Sequence, residues 1–363
     1  MAAAGGTGGH LFPATAVVEK LQDVTGNMIR PIFIGTDNKI ESKVIPQLGY
    51  EFHPIPISGF TGVNFSTFTL PFKIVKSLMM CRRLIRKTKP HAVLCTGAYI
   101  SYPVGQAAYL EGVPLILMES NVMPGKTIKM LASKADLIIT SFDASREYYN
   151  QDIKAEVVNL GNPVRKQLYD LPSREEALEK IGLRTDRKTV FVFGGSLGAR
   201  SINQAVEKIL DEFTVNDIQL IWQTGSNYTY EGNKPKNVIV KKFIDDMALY
   251  YAAADIVVSR SGATTVAELG VIGKPSILVP LPSASNNEQL ENAKIYSGNG
   301  ASLLLPDDEV PYKLLSMIQE IIHDDKMLSD MSKNALELGM PNAAQQSSEK
   351  ILELIEFFSG KGA

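Results

Sequence analysis

The chain has 363 residues, 45% of them apolar, and a formal charge of −2. That length is too great for one ordinary core and suits two domains, while the balanced charge gives no electrostatic reason to expect a nucleic-acid partner. Its two cysteines, Cys81 and Cys95, fall in runs that read as buried helix and strand, which excludes a disulfide framework or a cysteine metal site and fits a reducing cytoplasm. No run is long enough to span a membrane and no signal peptide is legible, so a cytosolic protein is expected.

The chain opens on "MAAAGGTGGHLFPATAV". Gly5, Gly6, Gly8 and Gly9 clear the space in which backbone N–H groups approach an anion at a helix N-terminus. Such a turn ordinarily follows a full strand, yet only Met1 to Ala4 precede it, which suggests a late start or a stub strand. His10 lies where the turn becomes helix, three residues before Pro13. A neutral imidazole there is a candidate base; the alternative is a histidine bonded to its own turn. His53, His91 and His323 lie outside glycine loops and read as structural.

Short apolar runs then recur, each followed by a turn and a helical pattern: "IRPIFIGT", "HAVLCTG", "VPLILMES", "ADLIITS" and "AEVVNLGNP". They read as buried parallel strands. Between the first two lies "GFTGVNFSTFTLPFKIVKSLMMCRRLIRKTKP", residues 59–90, which combines Phe60, Phe65, Phe68, Phe72, Leu78, Met79 and Met80 with Lys73, Lys76, Arg82, Arg83, Arg86, Lys87 and Lys89. An aromatic loop followed by a basic helix suits an anionic membrane surface, and a helix with Leu78 and Leu84 in the core would account for the same residues.

The strand cadence restarts at "KTVFVFGGSLGARSINQAVEKIL" and runs through "IQLIWQTG", "VIVKKFI", "ADIVVSRSG" and "PSILVPL". The fold class expected is α/β, with one parallel-sheet domain over 1–163, a second over 164–340, and a C-terminal helix over 341–363 whose packing place the sequence leaves open, a return to the first domain being one option. "FGGSLGARSIN" presents Ser196 and the amides of Leu197 and Gly198 as a second anion site. In "SRSGATTVAELG", small residues admit a diphosphate and Glu268, one turn beyond Thr264 and Thr265, is placed to grip ribose hydroxyls. The bland reading is a Ser- or Thr-capped helix with an exposed glutamate. No Asp-x-Asp occurs and His and Cys are scattered, so neither a metal nor another cofactor is expected.

Taken together, "GGTGGHLFPA", "GAYISYP", "ESN", "GNPVR", "GGSLGARSIN", "FIDDM", "RSGATTVAE" and "NNEQLENA" resemble the MurG family in family order. The resemblance covers nearly the whole chain and implies a two-domain glycosyltransferase type B fold with a cleft between the domains. It implies inverting transfer of GlcNAc from UDP-GlcNAc to the 4-hydroxyl of a lipid-linked muramyl pentapeptide in peptidoglycan synthesis. By resemblance, the Ile244 backbone reads uracil, Glu268 the ribose, and Ser196, Ala263, Thr264 and Thr265 the diphosphate. Arg165 and Gln289 match donor contacts, while Thr7, Gly8, Gly9 and Asn121 approach from the first domain and Gly97 and Tyr99 belong to the acceptor loop. His10 is the first candidate base and Glu119 the second. The family reading adds a peripheral place on the cytoplasmic face of the cell membrane, with other proteins of peptidoglycan synthesis as partners.

Three positions depart from the family pattern: Met118 where a histidine is usual, Ala98 where a second glycine is common, and Glu288 beside Gln289 where His-Gln or Gln-Gln is frequent. Two other readings remain open at this point, a UDP-sugar transferase with a different acceptor and a non-catalytic sugar-nucleotide binding protein.

Overall fold

Among the described residues, thirteen short strands, most of them apolar and rich in Ile, Val, Leu or Phe, form two separate parallel sheets. The computed structural model describes residues 1–58, 65–150, 152–284 and 287–360, and of 65–70 the backbone alone. The chain divides into two units: Met1–Arg165 with the stretch beginning at Met340, and Lys166–Gly339.

In unit 1 the strands are β1 (Ala2–Ala3), β2 (Ile32–Gly35), β3 (Glu51–Pro54), β4 (Val93–Cys95), β5 (Leu115–Glu119), β6 (Leu137–Thr140) and β7 (Glu156–Asn159). Their order is β3-β2-β1-β4-β5-β6-β7. The opening strand is a stub of two residues, and it still lies inside the sheet: Ala2 and Ala3 pair with Phe33 and Ile34 on one side and with Leu94 and Cys95 on the other. Burial on both faces explains why the inner strands are continuous apolar runs without alternation. Cys95 lies in β4, and both cysteines are buried and unpaired.

The helices that follow these strands are α1 (Gly8–Val24), α2 (Glu41–Gln47), α3 (Phe65–Thr88), α4 (Ser101–Leu110) and α5 (Lys126–Leu131). A distant segment, residues 343–360, returns to α1. Small residues let it approach closely: Ser347 and Ser348 are fully buried, Ser348 Oγ donates to the Val17 carbonyl at 3.2 Å, and Ile351 joins Leu11, Val17 and Leu21 in one apolar cluster.

Unit 2 holds β8 (Thr189–Phe193), β9 (Gln219–Gln223), β10 (Val238–Lys241), β11 (Ile256–Ser259), β12 (Ser276–Leu278) and β13 (Ser302–Leu304), in the order β10-β9-β8-β11-β12-β13. Its helices are α6 (Arg174–Ile181), α7 (Arg200–Lys208), α8 (Leu210–Val215), α9 (Met247–Ala253), α10 (Ala263–Ile272), α11 (Glu288–Gly298), α12 (Val310–Ile322) and α13 (Asp325–Leu338), and the helix over 343–360 becomes α14 (Ala343–Gly360). Trp222, Phe191 and Tyr251 are among the largest fully buried side chains.

Each sheet reverses its winding once, between β1 and β4 in unit 1 and between β8 and β11 in unit 2. In open parallel sheets the helices diverge at such a point and leave a crevice beyond the strand ends, where ligands bind. The strands flanking these two points lead directly into the glycine turn at residues 5–9, the segment 96–99, the loop 194–199 and the turn 260–262. Topology alone therefore marks the segments singled out by their composition.

Candidate functional site

The unit 1 site is built from the turn after β1. Thr7 is the N-cap of α1 and its side chain makes no capping bond, so His10 occupies the third helical position with the first-turn amides behind it. The ring is half-buried, and its Nδ1 lies 2.8 Å from the Thr96 carbonyl oxygen. A carbonyl only accepts, so Nδ1 carries the proton and Nε2 keeps the lone pair. Thr96 Oγ1 returns a bond to the His10 carbonyl at 2.7 Å. Burial lowers the His10 pKa below its ordinary 6.5, opposed by the bond to Thr96. The imidazole is thus neutral at pH 7 and fixed in the tautomer a base requires.

Gly97 explains why "GAYISYP" matters to this histidine. It has φ +97°, and a Cβ there would come within 3.1 Å of His10 Cε1. Ala98 follows at φ +55°, a left-handed conformation that an L side chain adopts at a cost of about 1–2 kcal/mol. Ala98→Gly removes that cost and adds unfolded-state entropy, so we expect unit 1 to gain about 0.5 kcal/mol, seen as a rise of about 2 °C in the thermal midpoint. A lowered midpoint would refute the strain.

One residue of this site carries no motif. Glu41, at the start of α2 and fully buried, accepts from Gly6 N–H at 2.9 Å, Thr36 N–H at 3.0 Å and Thr36 Oγ1 at 2.7 Å. A Cβ on Gly5 would overlap the same carboxylate. Glu41 therefore shapes the glycine turn from beneath and takes one of its amides. Thr36 also bonds Tyr99, whose pKa is raised chiefly by burial, with the nearby Glu41 charge adding to it. Gly97 thus lies against the His10 ring, and the glycine turn at Gly6 lies beside Ala98 and Tyr99.

Glu119 ends β5, buried at 4% exposure, and both of its oxygens are engaged. Oε1 accepts from Asn121 N–H at 2.9 Å and from Asn121 Nδ2 at 3.3 Å, and Oε2 accepts from Gly125 N–H at 2.8 Å. These bonds close the loop 119–125 and cap α5. Met118 lies fully buried within β5, so the polar residue usual at that position would face the core here. Arg165 is the last residue before the crossing into unit 2, and its guanidinium carbon lies 5.5 Å from the centre of the Phe12 ring.

In unit 2, α10 starts at Ala263 with Gly262 as its N-cap and no side-chain capping bond, so the hydroxyl cap of the bland reading is absent. Thr264 Oγ1 is buried without a hydrogen-bond partner among the described residues. Buried polar groups are nearly always paired, so an unpaired hydroxyl in the first turn of a helix is a place where a ligand oxygen completes the bonding. One turn on, Glu268 is buried at 2% exposure, contrary to an exposed-face residue, and accepts from Tyr251 Oη at 2.9 Å. Tyr251 is itself held edge-on by Phe191 and Phe193.

The loop after β8 is exposed at Ser196. Helix α7 begins only at Arg200, and the Gly198 N–H expected to face an anion instead closes a turn onto the Gly195 carbonyl at 3.1 Å. Gln289 is tied to the α10 turn, its carbonyl accepting from Ser261 Oγ at 2.7 Å, while its Oε1 accepts from Leu281 N–H at 3.0 Å. Ile244 N–H donates to Gln223 Oε1 at 2.8 Å. Glu288, in the first turn of α11, has a carboxyl pKa raised by burial. Asn286 of "NNEQLENA" lies outside the described residues. No cluster of three or more metal-ligating side chains occurs among the described residues.

The comparisons with known proteins bear on the fold and the family. Residues 1–140 match the glycosyltransferase family 28 N-terminal domain and residues 189–347 its C-terminal domain. The UDP-N-acetylglucosamine–N-acetylmuramyl-(pentapeptide) pyrophosphoryl-undecaprenol N-acetylglucosamine transferase of Christiangramia forsetii is 36% identical over 97% of this chain and 96% of its own. That of Bacillus cytotoxicus is 36% identical over 97% and 98%. The crystal structure of Acinetobacter baumannii MurG superposes with a TM-score of 0.76 at 28% identity, covering 97% of this chain and 99% of that one. The doubly built parallel-sheet architecture is the glycosyltransferase type B fold, and the chain belongs to glycosyltransferase family 28 and, within it, to the MurG family of N-acetylglucosamine transferases.

Proposed function

We propose that this protein transfers GlcNAc from UDP-GlcNAc to the 4-hydroxyl of the lipid-linked muramyl pentapeptide, with inversion at the anomeric carbon. The observation that carries a catalytic role is the His10 ring, neutral and fixed with its Nε2 lone pair outward from the Thr96 bond. Nε2 takes the proton of the muramyl 4-hydroxyl as that oxygen bonds to C1 of GlcNAc. The C1–O bond to the β-phosphate breaks, its electron pair leaves on UDP, and no covalent sugar–enzyme intermediate forms. Glu119, with both oxygens engaged by the 119–125 loop, serves to hold Asn121 and is not the base.

On unit 2, the Ile244 carbonyl accepts uracil N3–H, Glu268 accepts the ribose hydroxyls, and Ser196, Ala263, Thr264 and Thr265 receive the diphosphate. Gln289 orients the sugar. The α10 N-terminus and Arg165 offset the charge that develops on departing UDP. Thr7, Gly8, Gly9, Gly97, Tyr99 and Asn121 of unit 1 hold the acceptor. UDP release that depends on a lipid-linked muramyl acceptor supports the assignment; tight UDP-GlcNAc binding without release would make the protein a sugar-nucleotide binder.

The acceptor is lipid-linked, and α3 offers a surface suited to meeting it. Phe72, Val75 and Met79 are 78%, 56% and 52% exposed and lie on one helical stripe with Lys76 and Arg83 beside them. Leu78 and Leu84 pack into the core from the opposite side. Arg82 and Arg86 are paired with a carboxylate, donating to Glu111 at 2.6 and 2.7 Å, and Lys73 donates to Ser58 Oγ at 3.3 Å. Phe60 and the side chains of Phe65 and Phe68 lie outside the described residues. No described helix is long and apolar enough to cross a membrane. We therefore expect peripheral docking on an anionic leaflet, at the cytoplasmic face, through this stripe. Changing Phe72, Val75 and Met79 together to Ser should lower partitioning onto phosphatidylglycerol vesicles at least about tenfold, given about 1.5–3 kcal/mol per fully buried apolar side chain. Unchanged partitioning would leave α3 with a purely structural role.

A further inference from the structure

The segment that begins with the last residue of β9, "QTGSN" at residues 223–227, joins the two loops of unit 2 assigned above to opposite ends of UDP. Its main chain bonds the strand leading to Ile244 through Thr224 N–H to the Lys241 carbonyl at 2.9 Å and Gly225 N–H to the Lys242 carbonyl at 3.0 Å. It bonds the diphosphate loop through Ser226 N–H to the Ser196 carbonyl at 3.0 Å and Asn227 N–H to the Leu197 carbonyl at 3.1 Å. Gly198 and Gly225 touch backbone to backbone, an approach any side chain would prevent. Asn203, at the start of α7, locks the junction by donating to the Thr224 carbonyl at 2.8 Å while accepting from Trp222 Nε1 at 2.9 Å.

One side chain in this segment reaches both loops. Gln223, 3% exposed, accepts from Ile244 N–H at 2.8 Å and donates through Nε2 to the Gly195 carbonyl at 3.3 Å. Its amide is a rigid plane with one acceptor and one donor group, so the two bonds set the separation and orientation of the two loops together. UDP is a rigid enough ruler for this to matter: its uracil and diphosphate must be met at once, and a misplacement near 1 Å weakens both sets of bonds.

We infer that Gln223 is a positioning residue for the donor, holding the uracil-reading segment at Ile244 and the diphosphate loop at Gly195–Ser196 in the register that lets one UDP molecule engage both. The inference rests on the reading of unit 2 as the UDP-binding unit. It makes Gln223 matter to ligands that span the two loops and not to a ligand that uses one. The main-chain bonds of residues 224–227 remain when the side chain is changed, so the fold persists while the register loosens.

The test compares UDP with uridine. Gln223→Leu removes both side-chain bonds, and Gln223→Glu keeps an acceptor for Ile244 N–H while facing the Gly195 carbonyl with a second acceptor. For each variant, binding of UDP and of uridine is measured by competition, the two KM values by turnover, and folding by thermal melting. The expected result is a rise of about tenfold in the Kd of UDP and the KM of UDP-GlcNAc, with the Kd of uridine, the KM of the acceptor and kcat changed less than about twofold. Equal losses for UDP and uridine, or no loss for UDP in a folded variant, would overturn the inference. Should Gln223→Leu not fold, Gln223→Glu decides by the same comparison. Wild-type protein that fails to bind UDP would instead sink the reading of unit 2, and this inference with it.

Discussion

Replacing His10 with Ala lowers kcat by about 10²–10⁴-fold, the range that a positioned general base contributes, while the Kd of UDP stays within about twofold. The separation is expected because His10 and its bonding partner Thr96 both belong to unit 1, whereas the loops assigned to the donor belong to unit 2. A second readout is the pH profile. Burial lowers the His10 pKa below 6.5, and only the neutral ring accepts a proton, so activity is full above that pKa and falls as the pH drops through it. The acid limb of kcat/KM should therefore lie below pH 6.5 and vanish in His10→Ala. Loss of UDP affinity in step with kcat would make His10 a binding residue.

Glu268→Gln carries the second large effect. The carboxylate is buried, held by Tyr251 Oη, and one turn beyond the unpartnered Thr264 hydroxyl. An ionised carboxylate accepting from two hydroxyls makes charge-assisted bonds of about 1.5–3 kcal/mol each, and the amide retains the shape with weaker acceptance and one donor pointed wrongly. We expect the Kd of UDP to rise about 10–100-fold, measured by calorimetry. Discrimination against 2′-deoxy-UDP should shrink with it, since a site built to bond a hydroxyl rejects the analogue lacking it. An unchanged preference for the ribose form would remove Glu268 from the donor site.

Much of this molecule is legible in its amino-acid order, for identifiable reasons. Strands buried on both faces appear as apolar runs, and backbone sites for anions need small residues, so "GGTGGH", "GGSLGA" and "RSGATT" stand out against their surroundings. A two-residue strand cannot be recognised from its own length: β1 exists because Phe33–Ile34 and Leu94–Cys95 bracket it, contacts about thirty and ninety residues away. Strand order, and with it the two winding reversals, also lies beyond local pattern.

Among the functional residues, those missed act through long-range bonds. Glu41 follows an unremarkable stretch and matters because its carboxylate meets Gly6, and Gln223 ends a strand like any polar terminal residue. Whether a carboxylate is available or engaged is equally invisible in sequence. Glu119 looked like a base and spends both oxygens on its own loop, whereas Glu268 could have been a surface residue and is buried. In the basic helix, the pairing of Arg82 and Arg86 with Glu111 is likewise a contact between residues far apart in the chain.

The account as a whole stands on a single displacement, with no metal, in which a histidine-activated muramyl hydroxyl expels UDP. The most direct measurement is transfer of labelled GlcNAc from UDP-GlcNAc to a synthetic lipid-linked muramyl pentapeptide in the presence of a chelator, with the anomeric configuration of the product read by NMR. The account predicts undiminished transfer giving only the β-linked disaccharide. Product of retained configuration, a labelled sugar–enzyme adduct, or transfer abolished by the chelator would contradict it.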